Sequence, residues 1–204
     1  MKKFILTIGR QYVSGGREIG EKLAKELNVP FYDKKIINLA SKESGICDEF
    51  FEKADECPSN SILNALASSF SSTGLTFHPN EYLSNESLFS IQSEIIRKLA
   101  DKGSCVIVGR CADYLLRENK DLIRVFISAD MKDRVSTIMK RNSVDEHKAI
   151  EILKKADKTR SGYYNYYTDK EWGASSSYDF CINSSKCGEE GTIKIIKELI
   201  NLKK

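Results

Sequence analysis

Four short apolar runs rich in β-branched and aromatic residues, at 4–8, 105–108, 124–127 and 178–182, punctuate an otherwise polar chain. Each spans about five residues, and most are apolar throughout, the pattern of strands covered on both faces. A fifth, very short candidate lies at 29–32. Between the runs, helical spacing of apolar residues covers 16–27, 34–41, 61–70, 86–100, 131–141, 146–167 and 189–202. Strand and helix alternate, which predicts an α/β fold: a parallel sheet with helices on both faces. Two stretches do not fit that alternation. Residues 42–85 are polar, with Ser-rich patches and a His78-Pro79-Asn80 turn signal, and 141–177 are rich in Lys, Arg and Tyr. Ligands of open α/β sheets bind at the carboxyl ends of the strands, so both stretches read as mobile lobes able to close over a substrate there.

Composition narrows the partner. At 204 residues the chain can bury one substantial core, and a net charge of +3 gives no electrostatic case for a nucleic-acid polymer or a membrane surface. A small-molecule partner is expected. The opening Met1-Lys2-Lys3-Phe4-Ile5-Leu6-Thr7-Ile8 is cut off by Gly9-Arg10, too early for a signal peptide, and no run approaches the roughly 20 apolar residues of a membrane span. Six cysteines, at 47, 57, 105, 111, 181 and 187, form no CxxC pair, and His78 and His147 lack ligand-like spacing, so no protein-held metal site is expected. Cys105, Cys111 and Cys181 lie in or beside apolar runs and read as small buried hydrophobes, which fits a reducing, cytoplasmic location.

The first strand runs into Gly9-Arg10-Gln11-Tyr12-Val13-Ser14-Gly15-Gly16-Arg17-Glu18, and a helix follows. Strand, glycine loop and helix together make a phosphate cradle: glycines let backbone N–H groups turn inward, and the helix N-terminus adds partial positive charge. The donor-site candidates are therefore Ser14, Gly15, Gly16, Arg17 and Glu18. The match to G-x-x-x-x-G-K-[ST] is incomplete, with Gln11 for the first glycine, Arg17 for the lysine and Glu18 for the hydroxyl residue. A tight strand-to-helix turn with a surface arginine is the alternative.

The stretch Arg10-Gln11-Tyr12-Val13-Ser14-Gly15-Gly16-Arg17-Glu18-Ile19-Gly20, followed by Pro30-Phe31-Tyr32-Asp33, resembles the cytidylate kinase-like family, whose opening reads RQYGSGGREIG and then PFYD. Only Val13 departs from that opening. The resemblance continues at Val106-Ile107-Val108-Gly109-Arg110-Cys111-Ala112-Asp113-Tyr114 and over 157–167, so it spans nearly the whole chain. It implies a P-loop NTPase fold: a five-stranded parallel sheet in the order 2-3-1-4-5, with a nucleoside-monophosphate-binding insertion at 42–85 and a lid at 141–177. The core would be 1–41, 86–140 and 178–204. The implied activity is ATP- and Mg2+-dependent phosphoryl transfer to a nucleoside monophosphate, CMP or dCMP first.

The resemblance also assigns roles. Asp33 and Arg110 would hold the acceptor, with Arg110 on its phosphate; a surface salt bridge is the alternative for Arg110. Asp113 would orient that guanidinium or help hold the metal, or else cap the short segment after it. Asp157-x-x-Arg160 resembles the kinase lid, where Asp157 touches substrate and Arg160 joins Arg17 and Arg110 in neutralising the transferred phosphoryl charge. Lys158 and Arg141 are further sources of that charge, and the alternative is a solvated basic helix face. Ser184 falls where related folds shape an adenine pocket. A further lid arginine is replaced by Leu153; Arg134 could compensate but reads as an exposed helix arginine. The aromatic run at 163–167 and Trp172 read as packing rather than base stacking. Two rival functions follow from the departures: a nucleotide-binding module with weak or no transfer, or a kinase for another small acceptor.

Overall fold

The computed structural model describes residues 2–44, 56 and 85–203. Five strands, β1 (Ile5–Arg10), β2 (Phe31–Tyr32), β3 (Cys105–Val108), β4 (Leu122–Ser128) and β5 (Phe180–Asn183), form one parallel sheet in the order β2-β3-β1-β4-β5. The helices are α1 (Gly16–Glu26), α2 (Lys35–Ser44), α3 (Asn85–Asp101), α4 (Ala112–Leu115), α5 (Met131–Asn142), α6 (Glu146–Thr168) and α7 (Ser184–Leu202), the last interrupted at Gly188. This is the expected α/β architecture and strand order. The helix expected at 61–70 and most of the 42–85 insertion lie outside the described residues. Among the described residues no helix is long and apolar enough to cross a membrane.

The period of two along β1 divides the core between the faces. Ile5 joins a cluster with Ile36, Ile37, Ile96 and Ile107 beneath α2 and α3, whereas Phe4, Leu6 and Ile8 join Leu23, Val106, Val125 and Ile196 beneath α1 and α7. Truncating one of these, Ile107→Ala for instance, should cost about 2–5 kcal/mol because a central strand leaves nothing to collapse into the void. Several strand ends differ from expectation, two of them for reasons that packing shows. β1 extends to Arg10 because its last residues pair with β4, Gly9 opposite Phe126 and Arg10 opposite Ile127. β5 starts at Phe180, not at 178: Tyr178 instead turns inward and packs on Phe126 at 5.0 Å between ring centroids. As an edge strand β5 leaves Cys181 exposed, so only Cys105 and Cys111 of the three cysteines are buried.

Candidate active site

The loop between β1 and α1 is pinned to the sheet by its own side chains. Gln11, standing where the motif has glycine, accepts from the Ala129 N–H through Oε1 at 3.1 Å, and its backbone N–H donates to the Ile127 carbonyl at 3.0 Å. The Ser14 carbonyl accepts from the Ser184 hydroxyl at 2.8 Å, and that hydroxyl also reaches the Ser128 carbonyl. Ser184 therefore ties the loop to the end of β4. The N-cap residue Gly15 sits at φ 76 and offers no side-chain acceptor, which leaves the first amides of α1 directed at the loop. Gly16 allows the helix to start against β1, since a Cβ there would stand 2.7 Å from the Arg10 Cβ. Val13, at φ 61, holds a left-handed conformation that β-branched residues rarely adopt, at the one position where the chain departs from the resembled opening, which has glycine there.

A second layer grips the loop from the lid side. Asp157 on α6 accepts from the Tyr12 N–H at 2.8 Å and pairs with Arg134 of α5, while Arg134 Nε donates to the Tyr12 carbonyl at 2.9 Å. One ion pair thus satisfies both backbone polar groups of Tyr12. The reading of Arg134 as an exposed helix arginine is corrected: it is 2% exposed, because the loop passes directly over it. Asp157 is engaged by protein on both carboxylate oxygens. Leu153, in the place of the absent lid arginine, is fully buried with Val135 and Ile138 between α5 and α6, so that position builds the helix pair.

The arginines converge further along the strand ends. Arg17 Nε donates to Asp33 at 2.9 Å and its Nη1 to Glu21 at 2.9 Å, and Asp33 accepts from Arg110 Nη1 at 3.0 Å through its other oxygen. Asp33 thereby bridges the loop cation to the arginine after β3. Arg110 is buried and also donates to the Val108 carbonyl at 3.1 Å. The chain turns there through three successive left-handed residues, Gly109 at φ 73, Arg110 at φ 54 and Cys111 at φ 54. Each non-glycine member costs about 1–2 kcal/mol, strain that concentrates where side chains must be aimed.

At the centre stands Glu56. Its Oε1 accepts from Arg10 Nη1 at 2.5 Å and from the Arg110 N–H at 3.1 Å, and its Oε2 lies 3.4 Å from Arg160 Nε. Burial alone would push this carboxyl up; Arg10 above all, with Arg160 and Arg110, overcomes that and holds it down to about 2. Arg160 in turn is lowered by burial and by the nearby Arg10 guanidinium, and its Nη1 reaches the Arg10 carbonyl at 3.3 Å.

These groups line an open cleft of about 1190 Å3 that includes the whole loop from Arg10 to Glu18, together with Asp33, Glu56, Arg141 and Arg160. Exposed Glu18 occupies the hydroxyl position of the motif, and Lys158 is exposed. Asp113 is neither a helix cap nor solvent-facing. The N-cap of α4 is Cys111, and Asp113 accepts from the Tyr164 hydroxyl at 2.7 Å inside an aromatic cluster with Tyr163, Tyr178 and Trp172. Burial raises its carboxyl above the usual range despite that bond. Most of the aromatic run packs on protein, with Phe89 stacked on Tyr167 at 3.9 Å, while Tyr166 is exposed.

Sequence reasoning brings Ser14, Gly15, Gly16, Arg17, Glu18, Asp33 and Arg160 to one cleft, with Arg110 one layer behind Asp33. It places Asp113 and Ser184 elsewhere, in the aromatic cluster and at the root of the loop. Arg10 and Glu56 were missed. The signal for Arg10 was present, since it follows an apolar strand as Arg110 does; Glu56 sits 54 residues before Arg110 in a segment without periodicity.

A protein-family model described as the cytidylate kinase-like family matches residues 5–186. Cytidylate kinase of Pyrococcus horikoshii is 26% identical over 204 residues, covering 98% of this chain and 89% of that one. Cytidylate kinase of Methanocaldococcus jannaschii is 29% identical over 120 residues, 56% of this chain and 67% of the relative. Among solved structures, an uncharacterized protein from Eubacterium ventriosum superposes with a TM-score of 0.72 at 29% identity, covering 98% of this chain and 99% of that one. Shikimate kinase from Bacteroides thetaiotaomicron, at 13% identity and a TM-score of 0.55 over 98% of this chain and 100% of that one, shares the fold. With a family match that runs from β1 into the start of α7, this chain belongs to the cytidylate kinase-like family.

Proposed function

We propose that the chain is an ATP-dependent nucleoside-monophosphate kinase with CMP or dCMP as its leading acceptor. One observation carries this reading: a helix-N-terminal glycine loop and arginines from β1, α1 and α6 line a single cleft, with Arg110 set immediately behind it. Phosphoryl transfer asks for positioning and charge neutralisation more than for covalent chemistry, and this arrangement supplies both. The loop amides and Arg17 take the donor phosphates; Arg110 takes the acceptor phosphate; Arg160 faces both from α6 and balances charge on the group in flight.

Arg17 is held by Asp33 and Glu21 and is about half exposed, so engaging a donor means exchanging those carboxylates for phosphate oxygens. Mg2+ binds through phosphate oxygens, water and one or two carboxylates. Among the described residues no group of three acidic, His or Cys side chains could hold a metal alone, so Glu18, exposed on the cleft at the motif's hydroxyl position, would be the protein carboxylate that joins the donor phosphates on it. The metal's contribution is to offset phosphate charge during transfer. Asp157 and Arg134 keep the loop in shape and do not touch substrate in this reading.

The test is a coupled ATP-consumption screen across nucleoside monophosphates and small alcohols. Turnover highest with CMP or dCMP supports the reading, whereas a preferred non-nucleotide alcohol replaces the acceptor. The rival reading, a binding module with weak transfer, draws on Arg17 in place of lysine: a fork-shaped cation already held by two carboxylates follows a moving phosphate less readily than a point charge. ATP binding without consumption for any acceptor would establish it.

A further inference from the structure

Asp33 joins the glycine loop to the turn after β3. Its Oδ2 accepts from Arg17 Nε at 2.9 Å and its Oδ1 from Arg110 Nη1 at 3.0 Å, so each oxygen carries one guanidinium. The carboxylate is fixed where it stands: Asp33 directly follows β2, is 7% exposed, and its backbone carbonyl accepts from the Ile36 N–H at 3.1 Å as α2 begins. Arg17 is the movable partner, about half exposed at the end of a long side chain.

The loop arginine leans toward β2. Its Nη1 donates to Glu21 at 2.9 Å, and its guanidinium carbon lies 5.8 Å from the centre of the Phe31 ring. With Nε and Nη1 both committed, either edge of the fork that could grip a phosphate through two N–H groups already includes a carboxylate contact. Asp33 lines the cleft together with Ser14, Gly15 and Gly16, and Glu21 does not, so a phosphate settling on the loop amides competes with Asp33 for Arg17. The exchange is favoured by the helix. Arg17 is the second residue of α1, where the helix dipole opposes a cation until an anion sits at the N-terminus.

We infer that Asp33 is a latch between donor and acceptor. While Arg17 holds Oδ2, that oxygen is closed to the acceptor; when donor phosphate draws Arg17 away, Oδ2 stays in place on the cleft and receives a hydroxyl or amino group of the acceptor. The donor thereby strengthens acceptor binding, because it raises the fraction of molecules whose Asp33 is open. The identities of donor and acceptor rest on the reading proposed above, whereas the latch rests on the two Asp33 contacts.

The experiment is calorimetric titration of CMP, with and without a saturating non-hydrolysable ATP analogue and Mg2+, into the full chain and its Arg17→Ala and Asp33→Asn variants, with melting curves to confirm folding. In wild type the analogue should tighten CMP roughly five- to fiftyfold, an ordinary coupling between two sites. Arg17→Ala removes a cation and should nevertheless tighten CMP alone, to about the affinity that wild type reaches with the analogue, and the analogue should then add nothing. CMP bound equally or more weakly by folded Arg17→Ala overturns the latch. Asp33→Asn takes away the charge that holds Arg17, so the analogue alone should bind roughly tenfold more tightly than to wild type while CMP weakens. Unchanged analogue affinity in a folded Asp33→Asn protein also overturns the latch. Should Asp33→Asn not fold, the Arg17→Ala titration decides, since that side chain is about half exposed. If the analogue binds but CMP binds no form, the nucleotide acceptor is rejected, and the analogue's affinity for Asp33→Asn still decides the latch: tighter supports it, equal overturns it.

Discussion

Two buried ionic clusters flank the glycine loop, and they are built on opposite principles. The Arg134–Asp157 pair is balanced in charge and spends its hydrogen bonds on the peptide groups of Tyr12. The cluster around Glu56 is rich in cations, sits on strained backbone and opens to the cleft. A balanced, internally satisfied pair holds a shape. A cluster that borders the cleft stands where an incoming anion meets Arg10 and Arg160. The difference separates an arginine spent on the loop's peptide groups from arginines that border the cleft, a distinction that residue type does not make.

The sharpest way to break this comparison is to remove one member of the balanced pair. Asp157→Ala leaves Arg134, 2% exposed, without its counter-charge and should cost about 3–5 kcal/mol of stability in urea unfolding. Arg160→Ala, which relieves repulsion with Arg10 as it gives up Glu56, should cost markedly less in the same assay while lowering turnover. Equal losses would erase the contrast.

Acid unfolding probes the same contrast through linkage. The Glu56 carboxyl is held at about 2 against an ordinary value of 4.5, so the stability it brings is fully present above pH 4.5 and is lost as pH falls towards 2. Glu56→Gln should therefore show a flatter stability profile than wild type between about pH 4.5 and 2, with the two curves most different at neutral pH. Parallel curves across that window would mean that the arginines do not hold this carboxylate.

Arg110→Ala should weaken CMP by roughly ten- to a hundredfold, the loss of a charge-assisted contact of about 1.5–3 kcal/mol, and ATP much less. Separate titrations of the two nucleotides decide it, and an equal loss for both would place Arg110 outside the acceptor site. The smallest effect concerns the loop backbone. Val13 holds φ 61, so Val13→Gly should be more stable than Val13→Ala by about 1 kcal/mol, the reverse of the usual order, because both lose the side chain but only alanine keeps the left-handed penalty.

The sheet was legible because predominantly apolar runs of strand length, rich in β-branched and aromatic residues, have few alternatives: each strand in the structure overlaps a run, and the glycine loop falls where the first one ends. What periodicity could not give was burial of charge. Arg134 carries the same local signature as a solvated helix arginine, with Lys132 and Asp133 beside it, and is buried only because a loop more than a hundred residues earlier crosses it. Leu153 shows the reverse. Read against the resembled lid it is a missing arginine, yet its spacing of four from Ala149, also buried, marks one face of α6 against α5. Glu56 lay beyond reach because its partners come from three distant elements and its own segment carries no repeat.

The helix α6 presents Asp157 and Arg160 three residues apart, so one turn of helix touches Tyr12 of the glycine loop and the Glu56 carboxylate beside the Arg110 N–H. On the kinase reading proposed above, a rigid turn that borders both the donor and the acceptor positions makes their occupancies interdependent. Whatever factor by which the acceptor changes affinity for the donor, the donor must return to the acceptor, since both are the same coupling free energy read from either side. On that reading, cooperativity between the two nucleotides is the property that this turn of helix bears on.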